Sequence, residues 1–467
     1  MVVNGTTKVL VPESEEYEIC MSRIFHGGAA GTHPFAIIQP SHESDIVFAI
    51  DFAKSNKKKL FVLGGGHSGD CSANDCVLVD LSSHMGSVRW IENDGIVLAQ
   101  GGATVGRILG TLAEKNKTLP VGVYGTPGMG LVLQGGIGYL TRSLGLTIDR
   151  IKYIRGIRIS DGESFEASGD TERMSLPWRL LRGAAPFLAI ITEVALMPAS
   201  RTDLHVMRTC HQISALRNVI PAAECLPKAC SCSLVIGRLN CNTAPVALSY
   251  AVGSNTDLEV QKSLSRLENI WVNDGEIVSG PWHTIAEGLA ECPPYEMPDE
   301  TGSVPSQHAE STDRGSRPDT WIMSLLYPSG LADTPVVDAI EHAIENLPNA
   351  NCNIALQHMG GVVAEVGTTA TAFAGRTAEW SAVITSVWDR NDTEMGKRCK
   401  RWAQQCFTST EKYACGCYIV ERHPNTDFFE RELNLAFGEN LSDMKALKRS
   451  WDPDNILQPL DNMHSNP

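Results

Sequence analysis

Two rhythms of apolar residues alternate along the first 200 positions. Short runs of aliphatic and β-branched residues occur at 34–40 (PFAIIQP, proline at both ends), 59–63, 77–81, 88–91, 96–99, 151–160 and 189–197. Runs of this kind predict strands. Between them, apolar positions recur at helical spacing. Ile46, Val47, Ile50 and Ala53 follow Ser41, a residue suited to capping a helix, and a second helix is expected from Val105 to Glu114. The plan is α+β, with glycine blocks at strand ends, where ligand loops tend to lie. From about 201 to 415 the texture changes. Helical patterns at 258–271, 335–346 and 376–389 alternate with extended runs at 320–327 and 352–366. The stretch from Cys292 to Pro318 is rich in Pro, Ser, Gly and charge, and predicts a long exposed loop inside a second domain. A helix from Phe437 leads into Trp451-Asp-Pro-Asp-Asn455 and an apolar end at Pro459.

Composition narrows the classes. A chain of 467 residues is too long for one compact core, so two domains are expected. With 43% hydrophobic and 20% charged residues it has an ordinary globular make-up. A formal net charge of −15 argues against nucleic acid or an anionic membrane as partner. It leaves room for an anionic cofactor, because backbone N–H groups can hold phosphates in an acidic protein. No run of about eighteen apolar residues predicts a membrane span. Met1 to Thr7 has no basic segment followed by an apolar one, so no secretory signal is predicted and the expected compartment is cytoplasmic. The sequons at Asn4, Asn116, Asn391 and Asn440 carry little weight without that route. The 14 cysteines are scattered; Cys225, Cys230, Cys232 and Cys241 crowd one region without zinc spacing, so buried thiols are expected and no metal site.

The chemistry lies in two glycine segments. In Leu60-Phe-Val-Leu-Gly-Gly-Gly-His-Ser-Gly69 a predicted strand breaks into three glycines and a histidine. Gly64, Gly65 and Gly66 can adopt backbone angles that let successive N–H groups converge, a nest suited to pyrophosphate. His67 follows within reach of anything held there, although a glycine turn beside a surface histidine has the same letters. The second segment, Gly122 to Tyr139, has glycine at seven of eighteen positions, which suits a chain that must pass close to a large flat ligand. Gly64 to Gly69 fits GxGxxG by letter, but the residues after it make a poor helix start, so a dinucleotide fingerprint is not supported.

Together with Val79-Asp-Leu-Ser82, Gly101-Gly-Ala-Thr-Val-Gly106 and Leu133 to Asp149, these segments resemble the flavin domain of vanillyl-alcohol-oxidase-type flavoproteins, closest to the berberine-bridge-enzyme-like branch that includes the hydroxynicotine oxidases. Trp178 to Gly183, His358-Met-Gly-Gly361, Ala370 to Phe373 with Arg376, and Lys448 with Trp451 to Ile456 extend the likeness from about residue 33 to 459. The resemblance implies a two-subdomain flavin-binding domain (1–200), an α+β substrate domain whose antiparallel sheet covers the flavin (201–415), and a segment (416–467) returning to the first domain. It implies FAD, tethered through His67 to the flavin 8α-methyl. Glycines 64 to 66 and Ser68 would hold the pyrophosphate. Gly128, Gly130, Gly135, Gly136 and Gly138 would pass beside the cofactor, with Ile191 on the final strand and Asn455 in the returning tail.

The sequence also departs from that family. Where some relatives attach flavin a second time through cysteine, this chain has Tyr124, so one tether is expected and a phenol near the ring. Ala184, Ala185, Pro186 and Ala189 stand where glycines are usual, and Phe187 where asparagine is, which puts the placement of the flavin in question. Tyr418 matches a tyrosine that can act as a base, while Val420 replaces the asparagine of that motif. Gln357 and His358 are neighbours on one predicted strand, so at most one faces the flavin. The implied activity is an FAD-dependent oxidase that removes a hydride from a small organic substrate, of the kind handled in secondary metabolism. A non-redox cyclase or isomerase on the same scaffold is the alternative.

Overall fold

In a computed structural model, residues 2–3, 7–170, 175–238, 241, 243–254, 258–268, 276–281, 318–420 and 428–457 are described. The loop expected from Cys292 to Pro318 lies almost wholly outside them, as does the chain after 457.

Three of the early apolar runs, 34–40, 59–63 and 77–81, become strands of one sheet. It comprises β1 (Val2–Val3), β2 (Thr7–Leu10), β3 (Ala36–Gln39), β4 (Leu60–Leu63) and β5 (Val77–Asp80), in the order β1-β2-β3-β5-β4. β3 and β4 both pair parallel with β5. The helix Glu43–Ser55 links β3 to β4, as a parallel crossover requires. Its start corrects the expected cap. The N-cap is His42, and the Asp45 carboxylate accepts the N–H groups of Ser41 (2.9 Å) and His42 (3.0 Å); Ser41 contributes its backbone, not its hydroxyl.

A second sheet is wholly antiparallel. After β6 (Val88–Ile91) and β7 (Ile96–Gln100), the short β8 (Lys117–Thr118) stands apart, and β9 (Ile151–Ile157), β10 (Ser164–Ser168) and β11 (Ile190–Leu196) complete the order β10-β9-β11-β7-β6. β12 (Ala199–Ser200) pairs with β8. The helix Val105–Ala113 buries Val105, Ile108, Leu109 and Leu112, the spacing expected of an amphipathic helix.

The third sheet has seven strands. They are β13 (Asp203–Gln212), β14 (Cys230–Arg238), β15 (Pro245–Ser254), β16 (Glu276–Pro281), β17 (Asp319–Tyr327), β18 (Asn353–His358) and β19 (Trp380–Trp388), in the order β16-β13-β15-β14-β18-β19-β17. Alternation divides its side chains between two cores. Leu234, Ile236, Ile354, Leu356, Trp380 and Ile384 pack on one side with the helices Leu216–Glu224, Pro335–Glu345 and Thr393–Thr410. Val206, Val235, Leu248, Tyr250 and Leu326 join, on the other side, the core that contains Leu133, Ile148, Leu180 and Phe187.

Three expectations are corrected here. The segment 376–389 is not a helix: β19 fills most of it, paired with β17 on one edge and β18 on the other. The extended run 352–366 ends at His358, because Gly360 (φ +73°) and Gly361 (φ +55°) turn the chain into a 3-10 helix over Gly361–Glu365. The helix expected from Phe437 starts instead at Asn440 and runs to Trp451, because Gly438 (φ +49°) ends a separate preceding helix, Phe429–Phe437.

Candidate flavin site

The strand β4 delivers the three glycines, and two of them are held by backbone on both sides. A Cβ on Gly65 would run into the backbone N of Gly128, and a Cβ on Gly128 would meet Gly65 in return. Gly66 has φ +72°, and its carbonyl accepts the His26 N–H at 2.9 Å. The loop 122–128 is pinned to the start of the helix Val105–Ala113, with Val105 N–H donating to Pro127 O (2.9 Å) and Gly106 N–H to Gly125 O (2.7 Å). Tyr124 lies half-buried in that loop. Gly64 and Gly130 differ from their neighbours: a Cβ on Gly64 would meet only Gly101 O at 3.6 Å, and on Gly130 nothing within 4 Å. Space therefore borders the first loop at Gly64 and the short helix Met129–Gln134 at Gly130, while Gly65 and Gly128 are fixed by contact with each other.

His67 leaves this turn with its ring stacked on Phe25, centroids 4.2 Å apart. Its Nε2 is buried and has no hydrogen-bond partner. Burial pushes its pKa down to about 4, so the imidazole is neutral and its lone pair available near neutral pH. Ser68 Oγ accepts the Asp70 N–H at 3.2 Å and begins a 3-10 turn over Gly69–Cys71. Ile191 is buried, and its carbonyl abuts the place where a Cβ on Gly101 would stand.

The second glycine block faces a residue almost 300 positions later in the chain. Gly136 N–H donates to Tyr418 Oη at 3.0 Å, and a Cβ on Gly135 would lie 2.9 Å from the Tyr418 ring. Tyr418 is placed by the third sheet. Its backbone N–H donates to Ser324 Oγ (3.0 Å), Ser324 Oγ donates to its carbonyl (2.7 Å), and Leu326 N–H donates to Gly416 O (2.9 Å). Residues 416–418 thus extend the outer edge of β17, with the Tyr418 ring on the face that carries Ser324. Gly138 is structural, since a Cβ there would strike Val121 O.

That face is incompletely packed. Ile322, Ala355, Gln357, Val383 and Thr385 stay half-exposed, whereas the alternating residues Met323, Leu356, Ala382 and Ile384 are buried on the helix side. Of the neighbours Gln357 and His358, the structure puts Gln357 on the open face. His358 is buried on the helix side, stacked on Trp380 (4.5 Å) and with Nε2 2.8 Å from Glu379 Oε1. Thr320, on the open face at the far end of β17, reaches His26 Nε2 at 3.1 Å. Thr320 and Ser324 are four residues apart on one strand, about 14 Å.

Asn455 is not brought to this space. Its φ is +48°, its N–H donates to Asp452 O (2.9 Å), and its carbonyl accepts Lys59 Nζ (2.8 Å) at the entry of β4, the end remote from Gly64. The departures at 184–189 are likewise structural. Ala184, Ala185, Phe187 and Ala189 are buried, and Phe187 meets Phe437 edge-on at 6.0 Å; the helix Ser175–Leu188 is kinked at Gly183 (φ +129°), where a Cβ would strike Phe373 N.

Two buried ion pairs that sequence reasoning did not single out join the regions. Arg376, 1% exposed, donates to both Asp149 oxygens at 2.8 Å. Arg142 pairs with Glu379 and donates to the carbonyls of Cys230 (2.8 Å) and Leu226 (3.0 Å). Each arginine sits in a segment that reads as motif, but nothing in a single sequence pairs it with its carboxylate.

Comparison with known proteins accords with this geometry. Residues 34–168 match the family described as FAD binding domain. The FAD-linked oxidoreductase YgaK of Bacillus subtilis is 23% identical over 445 residues, covering 91% of this chain and 90% of its own. The FAD-linked oxidoreductase janO of Penicillium janthinellum is 37% identical over 185 residues, 38% of this chain and 40% of its own. The structure of BBE-like 1 from Physcomitrella patens superposes with a TM-score of 0.81 at 17% identity, covering 98% of this chain and 97% of that one. Among the described residues no helix is long and apolar enough to cross a membrane. Residues 34–168 carry an FAD binding domain, and the whole chain has the fold of the berberine bridge enzyme-like structures on which it superposes.

Proposed function

We propose that the chain is an oxidase that holds FAD through one covalent bond from His67 and removes a hydride from a small organic substrate lying against the open face of the third sheet. The observation that carries this reading is the His67 ring, neutral, with Nε2 buried and unpartnered, at the rim of the glycine cradle. When bound, FAD supplies the two-electron acceptor; a covalent tether raises its potential and fixes its ring. Gly64, Gly65, Gly66 and Ser68 hold the pyrophosphate; Gly128 lets the second loop close on Gly65, and Gly130 leaves room beside it. Gly135 and Gly136 shape the wall beneath Tyr418, Gly138 lets that segment pass Val121, and Ile191 backs Gly101 in the core. Tyr124 stands in place of a second tether.

Tyr418 is the proton acceptor in this scheme. The Gly136 N–H that donates to its oxygen fixes the phenol in place, where it can take a hydroxyl or amine proton as the hydride leaves carbon. Asn455 serves the same site at a distance, by fixing the tail against β4. Free thiols such as Cys20, Cys71, Cys76 and Cys232 suit a reducing, cytoplasmic setting.

The test is the visible spectrum before and after acid precipitation. Purified protein is expected to be yellow, with the colour retained in the pellet and lost from the pellet of a His67→Ala variant. A pellet that stays yellow in that variant would refute the tether. Anaerobic bleaching by a turned-over substrate separates the oxidase from the cyclase reading, which predicts a flavin that stays oxidised throughout.

A further inference from the structure

The open face of the third sheet has an unusual composition for a buried ligand wall. On the four consecutive strands β14, β18, β19 and β17, at one end of the sheet, the residues sharing that face include Ser233, Gln357, Ser381, Thr385 and Ser324 among Val235, Ala355, Val383 and Ile322. None of the side chains these four strands present on that face carries a charge. Ser233, Gln357 and Ser381 stand directly opposite one another across three adjacent strands. Cross-strand neighbours of this kind have Cβ atoms about 5 Å apart. Ser233 and Gln357 are half-exposed; Ser381 is fully buried, and its Oγ has no hydrogen-bond partner. An orphaned buried hydroxyl is costly unless something completes it.

Resting on the reading that the substrate lies on this face, we infer that the Ser233–Gln357–Ser381 row is a specificity site for an uncharged substrate: an apolar or aromatic body carrying a hydroxyl, carbonyl or amide group. The carboxamide of Gln357 offers both a donor and an acceptor, and the serines can act as either. Ala355, Val383 and Ile322 supply the apolar surface beside them. A carboxylate or ammonium group placed here would lose its hydration with no opposite charge to face.

Four single-ring probes test this on the purified protein: benzyl alcohol and benzamide, which are neutral, and benzoate and benzylammonium, which are charged. Binding is read from the perturbation of the flavin spectrum, or by titration calorimetry if the protein is colourless. A colourless protein counts against the flavin reading, and the calorimetric ranking still decides the present one. Expected are dissociation constants at least tenfold lower for the neutral pair. Gln357→Leu should weaken benzamide about fivefold, the worth of one hydrogen bond. Ser381→Ala should weaken it similarly without lowering the melting temperature, since it removes a hydroxyl that bonds to nothing in the protein. Equal or tighter binding of a charged probe, no binding by any of the four, or a Ser381→Ala variant that melts lower yet binds unchanged would each overturn the inference.

Discussion

The two walls of the site are made of different material. The flavin-domain wall is backbone: Gly65 on Gly128, Gly66 under His26, Gly136 donating its N–H to Tyr418. The sheet wall is side chain: Gln357, Thr385 and Val383 on a regular lattice of strands whose backbone groups are spent on each other. A backbone wall tolerates almost no substitution but can bind the same ligand in any relative. A side-chain wall can be rewritten residue by residue without disturbing the sheet, so it is where one scaffold acquires different substrates.

The join between the walls should be the most fragile element. Arg376 and Asp149 form a bidentate pair with the arginine 1% exposed, and removing one partner strands the other charge. Arg376→Ala is expected to cost about 3–5 kcal/mol in urea denaturation. A loss well under 1 kcal/mol would mean the walls are held together by packing alone. Next comes a contrast within the backbone wall. Gly65→Val drives a side chain into the Gly128 backbone and should cost about 1–3 kcal/mol and the bound flavin. Gly130→Ala, in a helix with open space around it, should leave the fold unchanged or stabilise it by about 0.5–1 kcal/mol. If Gly130→Ala also leaves flavin retention intact, that glycine is not a cofactor contact.

On the line between the walls, Tyr418→Phe keeps the ring against Gly135 and removes only the acceptor for Gly136 N–H. Stability should fall by about 1 kcal/mol, and turnover by roughly 10²–10⁴-fold if the phenol takes the substrate proton. Full turnover in that variant would move the base elsewhere.

The smallest effect is that of pH. Burial lowers the pKa of His67, of His211 and of His358 to about 4 in the folded chain, against about 6.5 when unfolded. Between those values the unfolded chain binds protons that the folded one refuses. Stability should therefore be level above pH 6.5 and decline as pH falls toward 4. Melting temperatures at pH 7.5, 6 and 4.5 check this; a flat series would mean the three rings are solvated.

Legibility followed the same division. Glycines were readable because a backbone wall can be written in few other residues, and Gly64 to Gly66 and Gly135 to Gly138 stood out as letters. β4, β5 and the helix Val105–Ala113 were readable from period alone. β19 was not: it lies inside the sheet with apolar residues on both faces, so its alternation is blurred and 376–389 passes for a helix. The pairing of Tyr418 with Gly136, of Arg376 with Asp149 and of Glu379 with Arg142 spans more than 200 positions each and leaves no local trace. Which of Gln357 and His358 faces the site became readable only once the strand register was known.

The tail that carries Asn455 has a consequence for how the molecule is made. β4 is the edge strand of its sheet, and the partner on its open side is the chain's own Ile456–Leu457, with Leu60 N–H donating to Ile456 O at 2.7 Å. Lys448 and Asp452 fix that turn, the Asp452 carboxylate accepting Ile456 N–H (3.0 Å) and Leu457 N–H (2.9 Å). On the ribosome, the strand that presents the glycine nest is therefore translated almost 400 residues before the segment that covers its edge. Until that segment emerges it is an open template for pairing with another nascent chain. Closure waits on residues read long after the strand they cover.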